Sequence, residues 1–159
     1  MNDPKMMIRP THADDIPALR SVLDQTALFP SDMLPDMLAP FLAGSQGETW
    51  LTAEGGAADA GLCYAREEPF AAGCWNLLAI AIHPAAQGCG VGRAITKKLE
   101  AELSTRGARI LIVDTSGTPQ FEAALAFYTA VGYRREAQIE GYWAPGDDKV
   151  TFWKRLGEG

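Results

Sequence analysis

Cysteine and histidine are scarce in this chain of 159 residues, which has three of the first and two of the second. Cys63, Cys74 and Cys89 do not stand at metal-ligand spacing, and His12 and His83 are too far off in sequence to complete a Cys/His cluster. No metal site is therefore expected, and unpaired, reduced thiols point to a cytoplasmic protein. Long apolar runs are also missing. No stretch reaches the ~18 to 20 residues that a bilayer span requires, and no basic segment followed by an apolar one resembles a signal peptide. Positive charge is in deficit, with 14 Lys and Arg against 20 Asp and Glu and a net charge of −6. The few basic residues are scattered, so neither nucleic acid nor an anionic membrane is expected as a partner.

What is present suits one domain over residues 1–159 with a core from about 6 to 156, since 47% of the residues are hydrophobic. Met6–Pro10 reads as a first strand. Thr11-x-x-Asp14 reads as a helix start in which the hydroxyl and carboxylate satisfy free backbone donors, the helix running to about Thr26. The Pro-broken segment Phe29–Pro35 precedes a short second helix that carries Met37, Leu38, Phe41 and Leu42 up to Gly44. Strands are expected at about 48–53, 59–66 and 74–82, the first two joined by the turn Glu54-Gly55-Gly56. Arg109–Asp114 is β-branched and apolar and reads as an interior strand. A helix from about Pro119 to Ala130 and a hairpin of 133–142 with 149–156 complete the chain, and the last strand, with Phe152 and Trp153, is expected to be exposed and to make a homodimer a partner to test.

The most informative segment is Gln87-Gly88-Cys89-Gly90-Val91-Gly92. Upstream, Leu77–Ile82 is a continuous apolar run ended by His83-Pro84, which reads as a buried strand stopped by a residue that cannot extend it. Downstream, Val91, Ile95, Leu99 and Leu103 recur every four residues and form one apolar helical face. A glycine-rich turn from strand to helix exposes the first N–H groups of the helix and suits an anion such as phosphate. The Rossmann spacing fails, because its third glycine falls on Arg93 or Ile95, and the P-loop spacing fails because its Gly-Lys pair falls on Arg93-Ala94.

The remaining pattern, Gln87-x-x-Gly90-x-Gly92, resembles the acyl-CoA motif Arg/Gln-x-x-Gly-x-Gly/Ala of the GNAT N-acetyltransferase superfamily. Two further segments are similar to that family in the expected order: Ala126–Tyr133 to its Phe-Tyr-x-x-x-Gly-Phe/Tyr helix end, and Gly141–Asp148 to the aromatic, turn-rich link between its last two strands. The resemblance implies an α/β fold of the α+β type, with a mixed, mostly antiparallel sheet of six or seven strands and about four helices. A splayed strand pair would hold the cofactor.

It further implies acetyl-CoA or coenzyme A as co-substrate, no metal, and transfer of an acetyl group to a primary amine of a small molecule, peptide or protein. A non-catalytic acyl-CoA-binding regulatory module is the rival. Backbone groups of Ile80, Ala81 and Ile82 would take the pantetheine arm like an added strand. Gln87, Gly88, Cys89, Gly90, Val91, Gly92 and Arg93 would surround the pyrophosphate at the positive end of the helix dipole. The alternative for this segment is a sharp turn and nothing more.

Tyr128 matches the tyrosine that stands beside the thioester sulfur in many relatives. With an ordinary phenol pKa of ~10 it keeps its proton at neutral pH and suits the acid, or else it is a core aromatic packed with Phe121, Leu125 and Val131. Asp114 in Asp114-Thr115-Ser116 stands where a related subgroup has Glu and is a candidate base, or else a strand-end cap bonded to the N–H groups of Thr115 to Gly117. Asn76 and His83 stand where Asp is expected in that subgroup, Leu125 replaces a basic residue, and Cys89 replaces a basic or polar one. A thiol at a helix start suits reactivity in the empty protein, although an inert filler fits as well. Phe29, Asp32, Tyr142 and Trp143 near the acceptor mouth would sandwich an amine, or serve only as loop anchors.

Overall fold

The computed structural model describes residues 6–55 and 58–157. Gly56 of the expected first hairpin turn lies outside them. In chain order the elements are β1 (Met7–Pro10), α1 (Ile16–Thr26), α2 (Leu34–Leu42), β2 (Glu48–Gly55), β3 (Ala58–Glu67), β4 (Cys74–Ile82), α3 (Val91–Thr105), β5 (Ile110–Ser116), α4 (Glu122–Ala130), β6 (Arg134–Ala144) and β7 (Asp147–Arg155). The strands form one seven-stranded sheet in the order β1-β2-β3-β4-β5-β7-β6. Its pairings β1–β2, β2–β3, β5–β7 and β6–β7 are antiparallel and β4–β5 is parallel. This is the mixed, mostly antiparallel α/β fold expected from the resemblance.

The chain folds as two compact units, one holding the residues up to Arg66 with Ala79–Glu102, the other Glu67–Leu78 with the residues from Leu103 on. In the first unit, α1 buries Leu19, Val22 and Leu23, and α2 buries Leu34 and Leu38, the one-face spacing of amphipathic helices. They share a core with Trp50 and Tyr64, whose rings stack at 4.2 Å. Val91, Ile95, Leu99 and Leu103 of α3 are buried as their four-residue spacing predicts.

The start of α1 differs from expectation. Asp15, not Asp14, is the capping carboxylate and accepts the His12 N–H at 2.7 Å. The Thr11 hydroxyl turns inward instead and bonds the Thr52 hydroxyl at 2.8 Å. Asp15 wins because Arg9 reaches it from β1 with two nitrogens, each 2.7 Å from a carboxylate oxygen, while Arg9 Nη2 also meets Glu54 at 2.7 Å. Those bonds hold the Asp15 carboxyl below the usual range, whereas burial, with the like charge of Asp15, pushes the neighbouring Asp59 up.

In the second unit β5 pairs with the start of β4 on one side and with β7 on the other. The last strand is therefore interior, which corrects the expectation of an exposed one: Phe152 is 1% exposed, and the edge on this side of the sheet belongs to β6, exposed along its whole length. The link Gly141–Asp148 is also shorter than expected. Gly141–Ala144 stay in β6, Ala144 faces Asp147, and only Pro145-Gly146 make the turn, with Gly146 at φ +79. A two-residue hairpin needs this left-handed backbone, and glycine supplies it. Nor is the run Leu77–Ile82 buried throughout, since Leu78 points outward and is 48% exposed.

The ion pair at the start of α1 sets a pH dependence. A carboxyl held low in the folded state stabilises the fold above its unfolded pKa of ~3.9 and loses that contribution as acid protonates it. Asp15→Asn should lower stability by about 1–3 kcal/mol at pH 7 in urea unfolding, with the deficit shrinking toward pH 2. An equal deficit at both pH values would exclude the ion pair as its cause.

Candidate functional site

The candidate residues fall into two groups, one in each compact unit. In the first, β4 ends at Ile82 and Pro84 opens a 3-10 turn over Pro84–Ala86, with His83 Nδ1 accepting the Ala85 N–H at 3.1 Å. His83 thus serves the turn. The Gln87 side chain donates to the Ile82 carbonyl at 3.1 Å and ties the loop back to its strand. Gly88 and Gly90 sit at φ +80 and +83 with open space where a Cβ would stand, so backbone conformation rather than crowding demands glycine there. Gly92 lies within α3.

The first bond into α3 runs from the Ala94 N–H to the Gly90 carbonyl at 3.0 Å. Val91, Gly92 and Arg93 therefore present N–H groups with no helical acceptor, at the positive end of a 15-residue helix dipole. Cys89 is exposed within this loop, its sulfur 3.8 Å from the Gln87 carbonyl. The other two thiols are buried, Cys63 being pushed up to about 12 by burial and Cys74 raised for the same reason. On the neighbouring strand, a Cβ at Gly61 would come 2.8 Å from the Ala81 carbonyl, so glycine there lets β3 lie close to β4.

The second group centres on Asp114. β4 and β5 pair only over Cys74–Leu77 with Ile110–Val113, and Asp114 is the first residue of β5 past that ladder. Its Oδ1 accepts the Thr151 hydroxyl at 2.7 Å, its Oδ2 accepts an Asn76 amide N–H at 3.2 Å, and Lys149 Nζ lies 3.8 Å away. The expected capping bonds to Thr115–Gly117 are not the ones formed. Ser116 caps the strand end instead, its Oγ accepting the Thr118 N–H at 3.1 Å, because the Asp114 side chain is turned toward β4 and β7.

Tyr128 is buried on α4, its ring 5.3 Å from Phe127, 5.9 Å from Tyr133 and 5.5 Å from Phe152. That burial among aromatic rings is what the core-aromatic alternative expects of Tyr128. Phe29 packs against the core of the first unit as an anchor, and Asp32 is exposed in the 3-10 turn before α2. Tyr142 and Trp143 are half exposed on β6 with their rings edge to face at 4.8 Å. Trp143 donates to the Thr115 carbonyl at 3.2 Å, and Lys149 sits 4.2 Å from the Tyr142 ring. Tyr142 and Lys149 thus meet beside Asp114. Lys149 and Thr151 were not legible from sequence, since both lie on β7, far from Asp114 along the chain, and carry no motif. Among the described residues, no three His, Cys, Asp or Glu side chains converge as a metal site, and no helix is long and apolar enough to cross a membrane.

Comparison with known proteins follows the same lines. A protein of Desulfovibrio desulfuricans assigned to the GNAT acetyltransferases superposes with a TM-score of 0.86 at 24% identity, covering 95% of this chain and 99% of its own. The ribosomal-protein-S18-alanine N-acetyltransferase of Escherichia coli gives 0.78 at 18% identity, covering 98% and 96%. A Salmonella typhimurium protein assigned to the acetyltransferases, solved with its cofactor acetyl-CoA, gives 0.76 at 19%, covering 97% and 95%. No curated relative matches in sequence. The acetyltransferase (GNAT) domain family matches residues 45–135, a span that includes β4, the glycine loop, α3, Asp114 and Tyr128. The chain belongs to the GNAT acetyltransferase family.

Proposed function

We propose that this chain is a single-domain N-acetyltransferase that uses acetyl-CoA and transfers the acetyl group directly to a primary amine in a ternary complex. The observation that carries this reading is the Gln87–Arg93 loop, where two left-handed glycines deliver three helix N–H groups without helical acceptors. Those donors suit the pyrophosphate of coenzyme A, with Gly88, Cys89 and Gly90 forming the exposed rim and Gln87 fixing the loop rather than the ligand. Backbone groups of Ile80, Ala81 and Ile82 suit the amide-bearing pantetheine arm, since β4 runs on past the point where its ladder with β5 stops.

In the chemical step the amine nitrogen attacks the thioester carbonyl, its proton passes toward the Asp114 carboxylate, and the carbon–sulfur bond breaks as the thiolate takes the proton of the Tyr128 hydroxyl. Asp114 suits the base because Thr151 and Asn76 fix its orientation with one donor on each oxygen. Acceptors are amines of small molecules, peptides or proteins. Asp32, Tyr142 and Trp143 are candidates to meet them, while Phe29 contributes packing.

Calorimetry with acetyl-CoA should give saturable heat that falls at least about tenfold in affinity on Gly90→Val, because a β-branched residue resists the left-handed backbone. No heat with the folded wild-type protein would defeat the donor reading. Tyr128→Phe should retain the fold by circular dichroism and lower thiol release with amine acceptors by roughly ten- to a thousandfold. Unaltered turnover would make Tyr128 a packing residue. In the native protein iodoacetamide should label Cys89 and spare the buried Cys63 and Cys74, and saturating acetyl-CoA should slow that labelling. A rate indifferent to the ligand would remove Cys89 from the phosphate site.

A further inference from the structure

The second unit carries a groove of about 610 Å³ that shares no residue with either group of candidate residues. It opens where α3 turns into β5 and where β7 ends, because the chain has little bulk there. Gly107, Ala108 and Gly157 line it, and a Cβ at Gly157 would come 3.4 Å from the Ala108 carbonyl. The end of α3 is closed, since the Gly107 and Ala108 N–H groups bond the Ser104 and Leu103 carbonyls at 3.1 and 3.0 Å. Carbonyls at the negative end of that helix are thus engaged before any ligand arrives.

The walls of the groove are positive. Arg109 and Arg155 both line it, Arg155 standing opposite Ile110 in the β5–β7 ladder. No Asp or Glu is among the lining residues, in a chain whose net charge is −6. Arg109 is held in place by neutral groups: its Nε and Nη2 donate to the Ala72 carbonyl at 3.1 and 2.9 Å, and its backbone N–H donates to the Gly73 carbonyl at 2.7 Å. The side chain lies against Gly73, where a Cβ would come 3.0 Å from Nε and 3.1 Å from Cγ, so glycine is what lets it take this path. Among the described residues no carboxylate oxygen lies within 4.0 Å of an Arg109 nitrogen. A carbonyl fixes the orientation of a guanidinium and leaves its charge unbalanced. The half-buried Trp153 ring, with the Arg155 guanidinium 5.8 Å from its centre, adds an apolar wall beside that charge.

We propose that this groove is a second binding site, for a small organic molecule that carries two oxyanion groups, carboxylate or phosphate, one for each guanidinium. Arg109 is the anchor. Its bonds to Ala72 use the Nε–Nη2 edge, which leaves the Nη1–Nη2 edge to meet an oxyanion with two parallel N–H bonds from a plane set in advance. Arg155 takes the second charge. The volume lies within the range of about 300–1,000 Å³ that suits small-molecule ligands, and the open mouth admits one without any strand moving. Binding here stands apart from the acetyl transfer proposed above and does not depend on it.

The test uses the whole chain without acetyl-CoA. The indole N–H signal of Trp153, assigned with Trp153→Phe, is followed by NMR during titration with citrate, with fructose bisphosphate and, at equal ionic strength, with sodium chloride. A saturable shift with citrate or the bisphosphate and none with chloride is expected. A response to citrate alone identifies the oxyanions as carboxylates, and a response to the bisphosphate alone identifies them as phosphates. Arg109→Gln, checked for folding by its melting curve, should weaken the anion by about tenfold, the loss of one charge-assisted contact, and Arg155→Gln should do the same. No saturable shift with either anion, a shift that chloride reproduces, or an affinity unchanged by either substitution would overturn the proposal. Should Arg109→Gln fail to fold, the Arg155→Gln affinity decides.

Discussion

The sheet's functional geometry depends on a ladder that stops early. β4 and β5 run parallel, yet only four residues of each are in register, while β4 extends to Ile82 and β5 to Ser116. The matched register ends at Leu77 and Val113, and the candidate residues Asp114 and Ile80–Ile82 follow it on each strand. Asp114 is the first position of β5 past the last matched pair, and Ile80–Ile82 lead directly into the loop that opens α3. A fully zipped parallel pair would have spent these N–H and C=O groups on one another. In the function proposed above, it is this unmatched stretch of β4 that takes the pantetheine arm by its main chain.

The parts of this arrangement differed in how legible they were. Periodic features were plain: the four-residue spacing of Val91, Ile95, Leu99 and Leu103 and the helical stripes of α1 and α2 correspond to buried faces, because burial of one face is what the period encodes. The glycine loop was legible because left-handed backbone leaves a compositional mark, and Gly88 and Gly90 carry it. Side chains whose partners lie far away in sequence were not. Asp15 rather than Asp14 caps α1 because Arg9 arrives from β1, and no local pattern encodes that arrival. Asp114 was visible as a candidate, but its orientation is set by Thr151, Asn76 and Lys149, none of which lies within thirty residues of it in sequence. The position of β7 was misread for a related reason: strand order is decided by which edges find partners, and two hydrophobic residues near the end of a chain do not report that.

Electrostatics divides the two units by type. In the first, Arg9 is shared by Asp15 and Glu54 with short, direct bonds, an arrangement that fixes the entry to α1 and leaves little charge unanswered. In the second, the neutral Asn76 amide joins Glu68 to Asp114, and Lys149 stands 3.8 Å from Asp114. The cysteines divide similarly, since burial raises Cys63 and Cys74 away from reactivity while Cys89 stays on the surface.

β6 carries one more consequence. It is one of the two edge strands of the sheet, exposed at all eleven positions, and an uncovered border invites extended chains to add on and grow the sheet into aggregates. Its sequence argues against such growth: Arg134, Arg135, Glu136 and Glu140 distribute charge along it, and its alignment with β7 slips between Arg135 and Ala137 and again between Ile139 and Ala144. A border with breaks in its rhythm offers no long, flat template, so the chain can leave Tyr142 and Trp143 open to solvent without presenting a surface on which fibres would nucleate.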